Sequence, residues 1–300
     1  MTSVVARFAP SPTGLLHIGH AWSAILSHDR AKGAGGRFLL RIEDIDGTRS
    51  RSDYIDAIER DLAWLGLDWD GPVLLQSERL DLYGEAIERL KAMGLLYPCF
   101  CTRAEIAASL SAPHGDAGPL YPGTCRHIAD SERARRTAGE EHAWRLDLAR
   151  ALDMLDPAAE EMPDQARHDG PLIWHDELAG DVVARPEMHG DVILARKDAP
   201  ASYHLAVTID DAAQGVTHVV RGGDLFAATH VHRLLQALLG LPTPIYRHHV
   251  LLADDSGARL AKRNKAPTLQ AMRGAGIDGR ALADDLRAGR LPIGFRTSEA

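Results

Sequence analysis

Arg7-Phe8-Ala9-Pro10-Ser11-Pro12-Thr13-Gly14-Leu15-Leu16-His17-Ile18-Gly19-His20 joins a short apolar run, residues 4–9, to a stretch of helix-like apolar spacing, residues 18–34. Pro10, Pro12 and Gly14 end the run, and Gly33, Gly35 and Gly36 end the helical stretch, so the segment reads as strand, tight loop, helix. Unpaired amides at a helix N-terminus, reinforced by the dipole, attract phosphate. His17 and His20, three residues apart, leave that first turn on the same side, and Gly14 and Gly19 give a nucleotide room to approach the backbone. The two histidines alone also admit two other readings: ordinary capping or surface residues, or an i, i+3 metal pair.

Outward from this segment, residues 37–42 read as a second strand, and residues 53–65, with Ile55, Ile58, Leu62 and Leu65 on one face, as a second helix. Residues 77–93 form a further amphipathic helix. Strands alternating with helices imply a parallel α/β sheet. Residues 111–123, rich in Pro, Gly and Asp, are a loop within an insertion. Short apolar runs over 172–196, broken by Gly180, Pro186 and Gly190, have the spacing of a small antiparallel subdomain. The α/β character resumes at 203–209. A run at 216–220, a helix near 227–239 and a strand at 245–252 continue the sheet, and helices follow near 269–275 and 280–289. There is no internal repeat.

The chain has 300 residues, 45% of them apolar, with 34 Lys plus Arg against 42 Asp plus Glu, a net charge of −8. That balance excludes a histone-like polycation and a disordered acidic tail, and the length supports a core without disulfides. The acidic total hides a basic end, since residues 241–300 carry 10 Lys plus Arg and 6 Asp plus Glu; this segment is a candidate face for phosphates, or simply a solvated one. No stretch reaches the roughly 18 to 20 apolar residues of a membrane span, and residues 1–8 lack the pattern of a signal peptide, so a cytoplasmic protein with no membrane partner is expected. Cys99, Cys101 and Cys125 are the only cysteines. An odd cluster of thiols suits a metal site better than a disulfide frame, and spacing alone leaves His114 or His127 as the fourth ligand. Trp22, Trp64, Trp69, Trp144 and Trp174 fall near apolar faces and are expected in the core. His230 and His232 fall on different faces of their helix.

The string Arg7 to His20 resembles the HIGH signature of class I aminoacyl-tRNA synthetases, in the wording of the glutamyl and glutaminyl branch. The resemblance implies an α/β, Rossmann-like parallel-sheet catalytic domain with an inserted zinc-binding and small α/β subdomain. The implied division is 1–97 and 199–252 for the catalytic halves, 98–198 for the insert and 253–300 for a mobile loop and helical end, with no anticodon-binding domain. ATP, with Mg2+, would be held by Pro10, Gly14, His17, Gly19, His20 and Lys262. Lys262 lies in Arg259-Leu260-Ala261-Lys262-Arg263, which is similar to the family's KMSKS loop but has Arg259 for its first lysine and Ala261 for its serine. His17, His20 and Lys262 would carry catalysis by charge stabilisation and positioning, without a protein nucleophile.

By the same resemblance, Arg7, Phe8, Ala9, Pro10, Ser11, Glu43, Tyr203 and Arg221 would hold L-glutamate. For Glu43 and Arg221 the alternative is an ion pair bracing the sheet ends. One subgroup of the branch carries Cys-x-Cys and Tyr-x-x-x-Cys as its zinc site, which implies one structural Zn2+ on Cys99, Cys101, Tyr121 and Cys125. That subgroup activates glutamate and attaches it to queuosine in the anticodon of tRNA(Asp), so the implied partners are glutamate, ATP and that tRNA, and a monomer is expected. A truncated synthetase charging a tRNA 3′ end, and a catalytically weakened RNA- or zinc-binding protein, are the alternatives.

Overall fold

A computed structural model describes residues 3–47, 50–102, 105, 120–155, 170–254 and 267–297. In chain order the elements are β1 (Val5–Phe8), α1 (Ile18–Lys32), β2 (Arg37–Ile42), α2 (Ser52–Trp64), β3 (Leu74–Leu75), α3 (Leu80–Ala92) and β4 (Leu96–Cys99). There follow α4 (Asp130–Gly139), β5 (Ala143–Leu146), α5 (Leu148–Met154), β6 (Ile173–Asp176), β7 (Gly180–Val183), β8 (Ile193–Ala195), α6 (Tyr203–Ala213) and β9 (His218–Gly222). Then come α7 (Ala228–Leu238), β10 (Ile245–His249), β11 (Leu252–Asp254), α8 (Leu269–Gly274), α9 (Gly279–Arg287) and β12 (Phe295–Thr297).

Every residue of β1 and of β9 is buried, as strands covered on both faces must be. Among the described residues they lie at the centre of a seven-stranded sheet ordered β3-β2-β1-β9-β10-β6-β7. All neighbours are parallel except β6 and β7, which form an antiparallel hairpin. The chain leaves β1 to pair β2 on one side and returns as β9 on the other. In open α/β sheets a crevice forms where the order reverses, beyond the carboxyl ends of the strands. Gly36 has a specific task at the β2 entry: a Cβ there would sit 2.0 Å from the Val4 carbonyl oxygen.

Ile18, Ala21, Ala24 and Ile25 of α1 pack with Phe38, Leu40 and Ile42 of β2, and with Leu62 of α2, Leu269 of α8 and Leu286 of α9. Burying each such Ile or Leu contributes about 1.5–3 kcal/mol. On the other layer Leu90 of α3, Leu146 of β5, Leu194 of β8, Leu205 of α6 and Leu235 of α7 share a second core. β4, β5 and β8 make a separate three-stranded antiparallel sheet.

One expectation is corrected. Residues 173–183 do not belong to a separate antiparallel subdomain; β6 pairs with β10 and extends the main sheet. Trp174, 1% exposed, packs there against Phe226, Tyr246 and His248, which demands a covered face rather than an isolated hairpin. Residues 203–213, where the α/β character resumes, are a helix, begun by Ser202, whose hydroxyl accepts from the Leu205 amide. Among the described residues of the C-terminal part, Arg273 pairs with Asp61, Arg287 with Asp29 and Asp284, and Arg290 with Asp285; Arg259, Lys262, Arg263 and Lys265 lie outside the described residues. No helix among the described residues is long and apolar enough to cross a membrane.

Candidate active site

A cleft of about 490 Å³ opens at the carboxyl ends of β1, β9 and β10, lined from β1 through the loop to α1. Arg7, Phe8, Ala9, Pro10, Ser11, His17, Gly19, His20, Glu43, Tyr203 and Arg221 all line it, so residues far apart in sequence are brought together as expected. Gly14 is not in its lining. Lys262, with Arg259 and Ala261, lies outside the described residues, but both neighbours of that segment reach the cleft mouth. Leu252 lines the cleft, and Thr268 pairs with His17 through a β-bridge.

His17 is the N-cap of α1. Its Nδ1 accepts from the Gly19 amide, and Nδ1 of His20 accepts from the His17 amide, both at 3.1 Å. The two rings lie with centroids 3.8 Å apart. Because each Nδ1 is an acceptor, a neutral ring carries its proton on Nε2, the nitrogen turned away from the helix backbone. The pair therefore caps the helix and presents two N–H dipoles at its positive end, which suits a polyphosphate. Gly19 serves this packing directly, since a Cβ there would come within 3.0 Å of His17 Cε1.

The far side of the cleft is a network of buried charge. Arg7 donates through Nε and Nη2 to both Asp211 carboxylate oxygens, at 3.0 and 3.3 Å. Arg41, fully buried, donates to Asp211 at 2.7 Å and lies 3.5 Å from Glu43. Asp210 is shared by Arg79, Gln76 and Tyr83. Burial would raise the Asp211 carboxyl, but Arg7 and Arg41 outweigh it and hold it below the ordinary value. At Glu43 burial prevails over the same arginines and holds the carboxyl above the ordinary value.

Arg221 differs. None of the ion pairs among the described residues includes it. Its guanidinium, 5% exposed, donates instead to neutral acceptors: His248 Nε2 at 3.0 Å, Tyr203 hydroxyl at 3.2 Å, Thr229 hydroxyl at 2.7 Å and the Leu225 carbonyl at 3.2 Å. The His232 ring lies 3.3 Å away. Burial, then Arg221 itself, lowers His232 far below the ordinary histidine value and His248 to about 4, so the surroundings stay uncharged. The expected alternative of a Glu43–Arg221 ion pair is absent; Glu43 turns to Arg41. A buried cation without an anionic partner has the charge to attract a carboxylate.

Away from the cleft, Cys99, Cys101 and Cys125 bring their sulfurs within 4.8 Å of one another. The Tyr121 hydroxyl lies 3.5 Å from Cys99 Sγ and from Cys101 Sγ, and the Cys125 amide donates to it at 3.0 Å. Cys101 and Cys125 sulfurs are 3.5 Å apart, the spacing of ligands around one tetrahedral ion and not of a disulfide. The Arg145 guanidinium lies over the Tyr121 ring, 3.7 Å from its centroid, and holds the ring in place, while burial and the neighbouring cysteines hold its hydroxyl above the ordinary value. These four donors fit a zinc ion. His127 is exposed and contacts Arg126 instead, and His114 lies outside the described residues.

Sequence reading missed Asp211, Arg41, His248, His249 and Trp22. Trp22, expected in the core, also lines the cleft, edge-on to His249, and Ser23 bonds His249 Nε2 at 2.7 Å. Ser23 stands three residues after His20, a spacing that could have flagged it.

Residues 3–288 match the family described as tRNA synthetases class I (E and Q), catalytic domain. The chain is 49% identical over 281 residues to a Glutamyl-Q tRNA(Asp) synthetase of Rhodobacter capsulatus, covering 91% of this chain and 96% of that protein. It is 46% identical to one of Symbiobacterium thermophilum, covering 90% and 81%. Among solved structures it is similar to a glutamate tRNA ligase from Elizabethkingia meningosepticum in complex with its amino acid, with a TM-score of 0.70 and 27% identity. That likeness covers 87% of this chain and 52% of the ligase, so the chain spans about half the ligase's length.

Proposed function

Because the chain belongs to the catalytic-domain family of class I tRNA synthetases for glutamate and glutamine, we propose that it activates L-glutamate with ATP and transfers it to queuosine in tRNA(Asp). The observation that carries the glutamate reading is Arg221, a buried guanidinium with no carboxylate partner, in the same cleft as the histidine pair at the start of α1. The relatives named for tRNA(Asp), at 42% identity or more, support the acceptor.

In the first step the α-carboxylate of glutamate attacks the α-phosphate of ATP, giving glutamyl-adenylate and pyrophosphate. Arg221, with the Tyr203 hydroxyl beside it, receives the side-chain carboxylate, and Glu43 receives the ammonium group. Arg7 stands between them, held by Asp211. His17 and His20 stabilise charge developing on the phosphates through Nε2–H, supported by the N-terminus of α1. Lys262 adds a point charge toward the leaving pyrophosphate, and Mg2+ enters with ATP as its counter-ion. In the second step a hydroxyl of queuosine attacks the activated acyl carbon and AMP leaves. Neither step requires a nucleophile from the protein; the chain aligns the reactants.

The test is amino-acid-dependent pyrophosphate exchange without tRNA. Exchange with glutamate, and little with glutamine or aspartate, is the expected result. No exchange with any of the three overturns the reading.

When bound at Cys99, Cys101, Tyr121 and Cys125, zinc would cross-link β4 to the segment before α4. Cys101→Ser is expected to lower bound zinc from about one equivalent per chain to near none while adenylate formation persists, because the thiols lie outside the cleft. Full zinc content by atomic absorption in this variant contradicts the ligand set.

A further inference from the structure

The register of the sheet places His248 on β10 directly opposite Arg221 on β9, and β6, the next strand, ends in Asp176. All three side chains are buried. The Asp176 carboxylate accepts from His248 Nδ1 at 2.7 Å and from the His248 amide at 3.1 Å. Its other oxygen accepts from the Leu178 and Ala179 amides at 2.9 and 3.0 Å, so the carboxylate is clamped by the hairpin turn. His248 Nε2 accepts from Arg221 Nε at 3.0 Å and lies 3.2 Å from the Thr229 hydroxyl, whose oxygen accepts from Arg221 Nη2.

Only one ring tautomer satisfies the contacts with both Asp176 and Arg221. Nδ1–H of His248 donates to Asp176, and the single lone pair of Nε2 accepts from Arg221 Nε, with the Thr229 hydroxyl beside it. The opposite tautomer would set N–H against N–H at Arg221. Arg221 therefore borrows negative potential from Asp176 through a neutral ring, across three neighbouring strands, without a carboxylate in direct contact to compete with substrate.

We propose that Asp176 and His248 are positioning residues that fix the Arg221 fork for the side-chain carboxylate of the amino acid and thereby set the preference for an acid over an amide. This rests on the glutamate reading given above. A direct Asp–Arg pair would orient Arg221 equally well but would neutralise it; an imidazole spacer orients it and leaves its charge for the ligand. Asp176 belongs to the hairpin that joins the main sheet, so this edge extension has a task at the site.

Asp176→Asn removes the charge and, with its oxygen kept for the Leu178 and Ala179 amides, turns an NH2 toward both the His248 amide and Nδ1, so both lose their acceptor and the ring is driven to the Nε2–H tautomer. The expected result is a rise of about tenfold or more in KM for glutamate, with kcat and the KM for ATP changed less than about threefold, and weaker rejection of glutamine. The 15N resonances of His248, identified by their loss in His248→Gln, are expected to show the proton moving from Nδ1 to Nε2. His248→Phe should raise the KM similarly, and His248→Gln, which retains an acceptor near Nε2, should recover most of the loss.

A wild-type KM for glutamate in Asp176→Asn overturns the proposal, as does a loss shared equally by glutamate and ATP, the mark of general damage. Failure of the wild-type chain to bind glutamate, measured by calorimetry, overturns the glutamate reading itself and the relay's role with it. Normal wild-type binding with indifferent variants removes the relay alone.

Discussion

Arg221→Ala is expected to lower kcat/KM for glutamate in pyrophosphate exchange about a thousandfold, roughly 4 kcal/mol of transition-state stabilisation. The magnitude follows from burial. Four of the five Arg221 N–H donors are engaged, so one charge-assisted bond, about 1.5–3 kcal/mol, remains for the carboxylate. Truncation also strands acceptors that now face it, on Tyr203, Thr229 and His248. Arg221→Lys should recover little, because an ammonium cannot serve four separately placed acceptors and a substrate carboxylate in one plane. The variant must be shown folded by its thermal transition. A fall of less than about tenfold in steady-state exchange would show that the side-chain carboxylate is read elsewhere, with Arg7 the next candidate.

The second large effect is expected at the helix start. His20→Ala removes the Nε2 donor and also leaves the His17 amide without its acceptor, so kcat for activation should fall by about a hundredfold or more while the KM for glutamate changes little. Two further variants separate the roles. Asn at position 20 can restore an acceptor near Nδ1 and so the cap, but not the donor; Gln can place a donor near Nε2 but not the cap. Activity recovered by Gln and not by Asn supports phosphate stabilisation. Recovery by Asn alone would assign His20 to the architecture of α1.

The strand, loop and helix of residues 5–32 were legible because their signals are local: apolar period, proline and glycine punctuation, and a histidine spacing that fits one helical turn. The cysteine set was legible for the same reason, and Tyr121 entered through resemblance to a subgroup and not through spacing. The hairpin 173–183 was recognised as strands, but alternation does not say which sheet edge a strand will join. Residues 203–209 read only as resumed α/β character, because Leu205, Ala206, Val207 and Ile209 make a run that a buried helix and a buried strand share. The charged frame was invisible. Asp211 matters because it meets Arg7 across 204 positions of chain, and His248 because strand register sets it against Arg221. Neither relation leaves a mark in local sequence.

The same distinction separates the two halves of the function. The glutamate half rests on a site that can be built residue by residue, from the histidine pair to Arg221. The acceptor half rests on the relatives. Of the C-terminal cations, Arg273, Arg287 and Arg290 are engaged with Asp61, Asp29 and Asp285.

The most direct measurement is transfer of labelled glutamate, with Mg-ATP, onto total tRNA from queuosine-producing and queuosine-deficient cells in parallel. Label confined to the queuosine-containing pool is the predicted result. Equal label in both pools would contradict it and assign the chain to acceptor-end charging.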